Sequence, residues 1–236
     1  MGNQHADAVY IDDSQDVMYV AEFSIKALKH VFIAKPDIFR IEQIRYLKKL
    51  AEESGVVLQM GTGYKYCPAY NVLIESAQTA KVVDVRQQLT GSCNLKMELF
   101  YLLDFVTNIL NVNIVKCDVR TWKNAENAVD TIHYCLECDN GSMVNITVYT
   151  VVEGEPKLEI SFVSSETVIF ADVFKSIIQK QYRTQDATDC FTLDAYCNTT
   201  IYDYYIQNFN RAINKETDAI RTIEKQFENI VLSFDF

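Results

Sequence analysis

Two side chains in this sequence have types and positions that suit proton transfer, Lys35 and Tyr101. Lys35 follows the apolar segment His30–Ala34, whose composition indicates a buried strand, and Pro36 stops that strand. A lysine at the carboxyl end of a parallel strand points into the ligand crevice of an open α/β sheet. There it can polarise a carbonyl or carry a proton, whereas the alternative is a surface lysine before a turn proline.

Tyr101 lies in an apolar segment, about Lys96 to Leu110, that predicts a long helix. A phenol beside an ammonium group can act as a general acid if its pKa falls. The alternative is a buried helix tyrosine in an aromatic-rich core, because the chain carries 14 tyrosines and 13 phenylalanines.

The cysteines and histidines give no metal-binding pattern. Cys135 and Cys138 form one C-x-x-C, but they lie in a segment that alternates like a strand, where positions three apart face opposite ways. A second such pair is missing, so we expect no metal and interpret the seven cysteines as small buried hydrophobes. His133 is expected on a half-polar sheet face.

The first sixty residues alternate between strand and helix patterns. Strands are predicted at Ala6–Ile11, His30–Ala34 and Val56–Met60, with a helix at Val17–Lys29 and another that ends at Gly55. This order predicts a parallel βαβαβ unit over residues 1–66. The first strand would lie at an exposed sheet edge, so we expect another subunit or rearranged chain to cover it.

Residues 67–236 change to an α+β pattern. A helix after Pro68 and the helix around Tyr101 precede a mostly antiparallel sheet with helices on one face, and Asp139–Ser142 predicts a tight hairpin. Strands are expected at Lys81–Leu89, Asn113–Trp122, Thr131–Cys138, Met143–Val151, Lys157–Val163 and Thr167–Ala171, and closing helices at about Thr200–Asn214 and Glu216–Leu232.

Alternation in this sheet predicts one packed face and one half-polar face. The expected inward residues are Ile132, Tyr134, Leu136, Val144, Ile146, Val148, Leu158, Ile160 and Phe162. The opposite face, called the open face below, carries Thr131, His133, Cys135, Glu137, Asn145, Thr147 and Tyr149. A broad face with aromatic groups and few charges is typical of a subunit interface, so we expect a homo-oligomer through it.

Three stretches in order resemble one family of dehydrogenases. Residues 31–36 (Val-Phe-Ile-Ala-Lys-Pro) are similar to a strand-end Glu-Lys-Pro signature, with Ala34 in place of the glutamate. Residues 50–61, then Lys65 and residues 68–70 (Pro-Ala-Tyr), resemble the segment that follows it, and Tyr101–Asp104 resembles the helix with the catalytic histidine. The family is that of glucose–fructose oxidoreductase and inositol dehydrogenase, or Gfo/Idh/MocA.

The resemblance implies specific roles. Lys35 would lie beside the nicotinamide of NAD or NADP and the reacting hydroxyl of a small sugar or polyol. Tyr101 takes the position of the catalytic histidine, as in relatives of the glucose–fructose oxidoreductase type, while Met97 replaces the expected aspartate. Lys65 falls where relatives often carry an arginine near the cofactor.

The phosphate-binding start of the family's Rossmann domain is missing from these residues. Gly2 is the only glycine in the first 54 residues, so no G-x-G-x-x-G can form there. Gly61-Thr62-Gly63 matches a loop that binds no phosphate in the family. The carboxylates of Asp12, Asp13 and Asp16 would repel a bound dinucleotide; the alternative is that they are solvated acids of a surface loop.

Two functions follow. The first is a sugar or polyol oxidoreductase in which Lys35 and Tyr101 are the catalytic pair; this enzyme would need a phosphate-binding half from elsewhere. The second is a non-catalytic oligomerisation or carbohydrate-binding module.

The net charge of −10 without a basic run argues against nucleic acid and anionic membranes as partners. The sequence offers no signal peptide or bilayer-spanning segment, so we expect a cytoplasmic protein.

Overall fold

The computed structural model describes residues 7–12, 16–34, 39–61, 68–91, 95–184, 187–192 and 201–214. The chain divides into two units, one formed by residues 1–63 and 201–235 and the other mainly by residues 64–200. Three features predicted from the sequence, Lys35, Lys65 and the last helix at Glu216–Leu232, lie outside the described residues.

The first unit contains the predicted parallel βαβαβ arrangement. Strands β1 (Ala8–Ile11), β2 (His30–Ile33) and β3 (Leu58–Met60) pair in parallel in that order. Helices α1 (Val17–Lys26) and α2 (Ile41–Ser54) connect them. Helix α2 ends where Gly55 takes a left-handed φ of 66°, as the sequence predicted.

The second unit is an eight-stranded sheet with two helices. Its strand order is β11-β10-β9-β8-β4-β7-β6-β5, and every neighbouring pair is antiparallel except β4 and β7. The elements are α3 (Pro68–Ala77), β4 (Val82–Thr90), α4 (Leu95–Leu110), β5 (Ile114–Lys123), β6 (Val129–Cys138), β7 (Met143–Val151), β8 (Lys157–Val163), β9 (Thr167–Asp172), β10 (Ile177–Tyr182) and β11 (Thr188–Thr192).

The predicted alternation separates the two faces of this sheet. All nine residues expected to point inward are at most 2% exposed, and α4 packs against β7. The open-face residues of β6 and β7 are half-buried, apart from the exposed Glu137. The predicted hairpin is present, with Gly141 at a φ of 79° and its N–H donating to the Cys138 carbonyl.

Helix α5 (Ile201–Ile213) belongs to the first unit, whereas the sequence-based boundary had placed it in the second domain. The reason is a ring contact: Phe209 lies edge-on to Phe32 of β2, with 5.6 Å between the ring centroids. Phe209 and Ala212 are thereby buried. No helix of the described residues is long and apolar enough to cross a membrane.

Candidate functional site

The carboxyl ends of the three parallel strands approach one another closely. The Ala34 N–H donates to the Ile11 carbonyl at 2.8 Å, and the Gly61 N–H donates to the Ile33 carbonyl at 2.7 Å. A Cβ on Gly61 would lie 2.5 Å from the Ala34 carbonyl oxygen, which is far inside van der Waals contact. Glycine is therefore required at this point of the sheet by packing alone.

Lys35 follows Ala34 directly, but it lies outside the described residues, as do Lys65 and the end of the Gly61–Gly63 segment. The proposed contacts of both lysines with a cofactor and a substrate therefore stay predictions. Ala34 itself is buried, at 7% exposure. A methyl group there supplies no acid or base at the strand end.

Acidic residues lie at the end of β1 and at the start of the first helix. Asp12 and Asp16 are both exposed, and Asp16 is the N-cap of α1 without a hydrogen bond from its side chain to the helix. The N-terminus of a helix carries a partial positive charge that favours anions. Here the Asp16 carboxylate already lies at that end of the helix, so a pyrophosphate bound there would meet electrostatic repulsion. Asp13 lies outside the described residues.

Tyr101 lies on α4 in the second unit, as predicted. Its side chain is half-buried, and its ring centroid is 5.6 Å from that of the buried Phe100. The phenol is therefore neither in the interior of the core nor fully in water. Lys35 and Tyr101 belong to different units, so their action as a pair stays a prediction.

A hydrogen-bonded couple next to Tyr101 was not predicted. The Gln87 amide Nε2 donates to the Glu98 carboxylate Oε2 at 2.9 Å, which joins β4 to α4. Gln87 is 1% exposed and lies between the inward positions Val85 and Leu89 of β4. A polar residue at an inward strand position was the available sequence signal, since a buried amide needs a partner. Glu98 lies three residues before Tyr101, so both share one helix face.

Both described histidines form hydrogen bonds within the sheet to which they belong. His133 Nδ1 lies 2.9 Å from Thr147 Oγ1 on the open face, where the sequence placed it. His30 Nδ1 accepts a hydrogen bond from the Val57 N–H at 2.9 Å. That contact links β2 to the segment before β3, so it stabilises the sheet.

The C-x-x-C cysteines behave as the strand alternation predicted. Cys135 is half-buried on the open face, Cys138 is buried, and both are free thiols. Cys190 is exposed, so the expectation that every cysteine is buried is wrong there. Burial raises the pKa of the Cys138 thiol, against an opposing effect of its hydrogen bond with Ser142. Within the ranges that the structure describes, no three His, Cys, Asp or Glu side chains form a group suited to a metal ion.

Comparison with solved structures identifies the fold. UDP-N-acetylglucosamine 3-dehydrogenase GnnA from Acidithiobacillus ferrooxidans matches with a TM-score of 0.82 and 16% identity, over 96% of this chain and 76% of that one. A Gfo/Idh/MocA family oxidoreductase from Vibrio cholerae matches with a TM-score of 0.79 and 14% identity, over 96% and 76%. GenD2 from gentamicin A biosynthesis, solved in complex with NAD, gives 0.71 and 15%, over 94% and 74%. No family model and no curated protein sequence matches the chain.

These matches confirm the predicted resemblance at the level of the fold. The parallel three-stranded unit and the larger, mostly antiparallel sheet are the arrangement of these dehydrogenases. The chain spans about three-quarters of the length of each of the three.

Proposed function

We propose that this chain is an oxidoreductase-like member of the Gfo/Idh/MocA family, related to sugar and polyol dehydrogenases, that does not bind NAD(P) on its own. The shared fold supports the family assignment. The start of α1 supports the second part, because Asp16 is the N-cap of this helix and Asp12 directly follows the first strand. In a functional dinucleotide site, glycine N–H groups meet the pyrophosphate at such a helix tip.

The carrying observation is the acidic, glycine-free connection between β1 and α1. Each carboxylate near a bound pyrophosphate adds repulsion, which is strongest in the low dielectric of a crevice. The seven glycines of the chain include no G-x-G-x-x-G to replace that cradle. If another polypeptide supplied a phosphate-binding half, Lys35 and Tyr101 would be the residues that act on the substrate.

Titration of the purified chain with NADH and with NADPH tests the proposal. We expect no saturable change in nicotinamide fluorescence up to about 1 mM dinucleotide, which corresponds to less than ~4 kcal/mol of binding free energy. GenD2, whose structure contains NAD, serves as the positive control under the same conditions. Saturable binding with a micromolar Kd would show that the chain holds the cofactor without the missing motif.

A second role, self-association through the open face, is favoured by the composition of that face on β5, β6 and β7. Trp122, the only tryptophan of the chain, is 50% exposed. It pairs across the strands with Thr131, which in turn pairs with Tyr149. Aromatic groups are enriched at the cores of protein interfaces, and the charged open-face residues of β5, Lys116, Asp118 and Arg120, would form the polar rim around Trp122. We propose that two copies of the chain meet at this row.

Sedimentation velocity combined with tryptophan fluorescence tests this contact. We expect a dimer at micromolar concentration and a red shift of the Trp122 emission on dilution, because dissociation exposes the indole to water. Trp122→Glu should give a monomer, since a carboxylate would be buried at the contact. Phe23→Glu on α1, at a residue that is 63% exposed, should leave the dimer intact. A wild-type chain that stays monomeric at high concentration would exclude the contact.

A further inference from the structure

We infer that two copies of the chain pair about a two-fold axis that runs across the strands of the open face, so that Arg86 of each copy lies against Asp84 of the other. This inference rests on the self-association proposed above and adds the orientation of the second copy to it. A two-fold contact buries the same patch of both copies, so the patch must be complementary to itself. The charge pattern of β5, β6, β7 and β4 has this property.

Strand register arranges the open-face residues of these four strands in rows. The arginine row consists of Arg120, His133, Thr147 and Arg86. The aspartate row, two residues away on each strand, consists of Asp118, Cys135, Asn145 and Asp84. Each row therefore has half-buried residues without a fixed charge in its middle, on β6 and β7, and like charges at both ends, on β5 and β4.

The residues at the ends of the rows keep their charges. Arg86 and Arg120 are exposed, and neither side chain has a hydrogen bond or ion pair within the part of the chain that the structure describes. Asp84 accepts a hydrogen bond from Asn145 at 2.8 Å, which leaves its negative charge in place. The two rows together hold two arginines and two aspartates, so they have no net charge, whereas the whole chain carries −10. Two acidic copies can therefore approach at this patch.

Two aligned sheets can be related by an axis across their strands or by an axis along them. An axis across the strands, between the two rows, places the arginine row of one copy over the aspartate row of the other, so that every arginine faces an aspartate. An axis along the strands, between β6 and β7, places β5 over β4 instead. Arg120 would then face Arg86, and Asp118 would face Asp84, which is repulsive. The charge pattern therefore favours the axis across the strands.

The lengths of the side chains agree with this choice. Sheets that pack face to face are about 10 Å apart. A long arginine opposite a short aspartate spans about that distance, and the guanidinium can bind the carboxylate through two parallel hydrogen bonds. Two opposed arginines would be too long for the same gap, and two opposed aspartates would be too short. The row of Trp122, Thr131 and Tyr149 lies beside the arginine row, so it stays within the contact.

The pairs on β4 are expected to contribute more than the pairs on β5. The Asp118 carboxylate lies 3.4 Å from Lys116 of its own chain, so this lysine competes with the arginine of the other copy. Asp84 is half-buried, and its hydrogen bond comes from a neutral amide. A charge pair that is partly removed from water is screened less than an exposed one.

Two further carboxylates do not oppose this orientation. Glu159 on β8 and Asp172 on β9 continue the arginine row beyond β4. The axis across the strands places them over Ser161 and Phe170 of the other copy, and neither of these is charged. The twist of both sheets also separates the strands that lie far from the axis, so these carboxylates keep contact with water.

Charge reversal on β4 tests the orientation by sedimentation equilibrium. In Arg86→Asp, the new carboxylate would face Asp84 of the other copy, so we expect the Kd of the dimer to rise about tenfold or more. Asp84→Arg should weaken the dimer similarly, because arginines would then face each other. An equimolar mixture of the two variants should form heterodimers with a Kd within about threefold of that of the wild type, since opposite charges again meet at both contacts. Native mass spectrometry identifies the heterodimer by its mass.

Arg211→Asp is the matched control, because it changes the net charge as Arg86→Asp does, at an exposed residue of α5 in the first unit. We expect its Kd to equal that of the wild type. Circular dichroism checks the fold of every variant. If Asp84→Arg disturbs the fold, Arg120→Asp and Asp118→Arg repeat the mixing experiment at two exposed residues of β5, with a smaller expected loss of about threefold.

The outcomes separate this orientation from the self-association on which it rests. A wild-type chain that stays monomeric would overturn both. A wild-type dimer that both β4 variants leave unchanged, or weakened variants that do not combine into a heterodimer, would overturn the orientation and leave the association standing. A tighter dimer in Arg86→Asp would also overturn it and would indicate the axis along the strands, where the new carboxylate faces Arg120.

Discussion

Replacing Phe32 with alanine is expected to lower the free energy of unfolding of the first unit by about 3–5 kcal/mol. Phe32 is fully buried on the middle strand β2. Its ring stacks on Tyr10 with 5.1 Å between centroids and meets Phe209 of α5 edge-on at 5.6 Å. Truncation therefore leaves a cavity at the point that joins β1, β2 and α5. Urea unfolding followed by circular dichroism measures the change.

Phe23→Ala is the matched control, because it removes the same atoms from a residue that is 63% exposed. We expect its unfolding free energy to stay within about 0.5 kcal/mol of the wild type. If both alanine variants lost the same stability, Phe32 would have no special part in the core and the contact with α5 would not hold the unit together.

The second large effect is expected for Gly61→Ala, at about 2–3 kcal/mol of destabilisation. The new Cβ would lie 2.5 Å from the Ala34 carbonyl oxygen and 3.2 Å from the Ala34 carbonyl carbon. These are backbone atoms at the end of β2, so no side chain can rotate away to relieve the clash. The strand end must move, which weakens the hydrogen bond from the Gly61 N–H to the Ile33 carbonyl. Thermal unfolding monitored by circular dichroism reports the loss.

Gly55→Ala separates steric overlap from backbone strain. Gly55 has a φ of 66°, but a Cβ there would meet nothing within 4 Å. Its substitution should cost only about 1 kcal/mol, the usual penalty for a left-handed alanine. A Gly61 variant that loses no more stability than the Gly55 variant would show that the close approach of β2 and β3 is unimportant.

Most of the second sheet was predictable because its strands follow period two. Met143–Val151 and Lys157–Val163 were predicted with the bounds that the structure gives. The buried apolar residues of these strands all lie on one face, as Leu158, Ile160 and Phe162 do. The turn at Gly141 was equally predictable, since Asn-Gly favours the positive φ of tight hairpins.

The last two strands and the placement of α5 were not predicted, for physical reasons. Strands β10 and β11 lie towards the edge of the sheet, and Ile178 is the only buried residue of β10. Short edge strands need few inward apolar residues, so period two is weak there. The position of α5 depends on contacts between Phe209 and residues about 180 positions earlier, which local patterns cannot encode.

In the candidate site, too, local features were predictable from the sequence and long-range contacts were not. The sequence placed Tyr101 on a helix and His133 on the open face, because both assignments depend on local periodicity. The link between Gln87 and Glu98, in contrast, joins strand β4 to helix α4. Such a contact depends on how the helix packs against the sheet, which alternation within one strand does not specify.

Strand β4 lies between β8 and β7, although it precedes both in the chain. Val82 pairs with Met143 on one side and with Val163 on the other, so its partners are synthesised some 60 to 80 residues later. The three-stranded meanders β5–β6–β7 and β8–β9–β10 consist of strands that are adjacent in sequence, so each can form without β4. We therefore expect the slow step in the assembly of this sheet to be the docking of β4 between the two meanders. Contacts of such high sequence separation carry a large loop-closure entropy and slow folding.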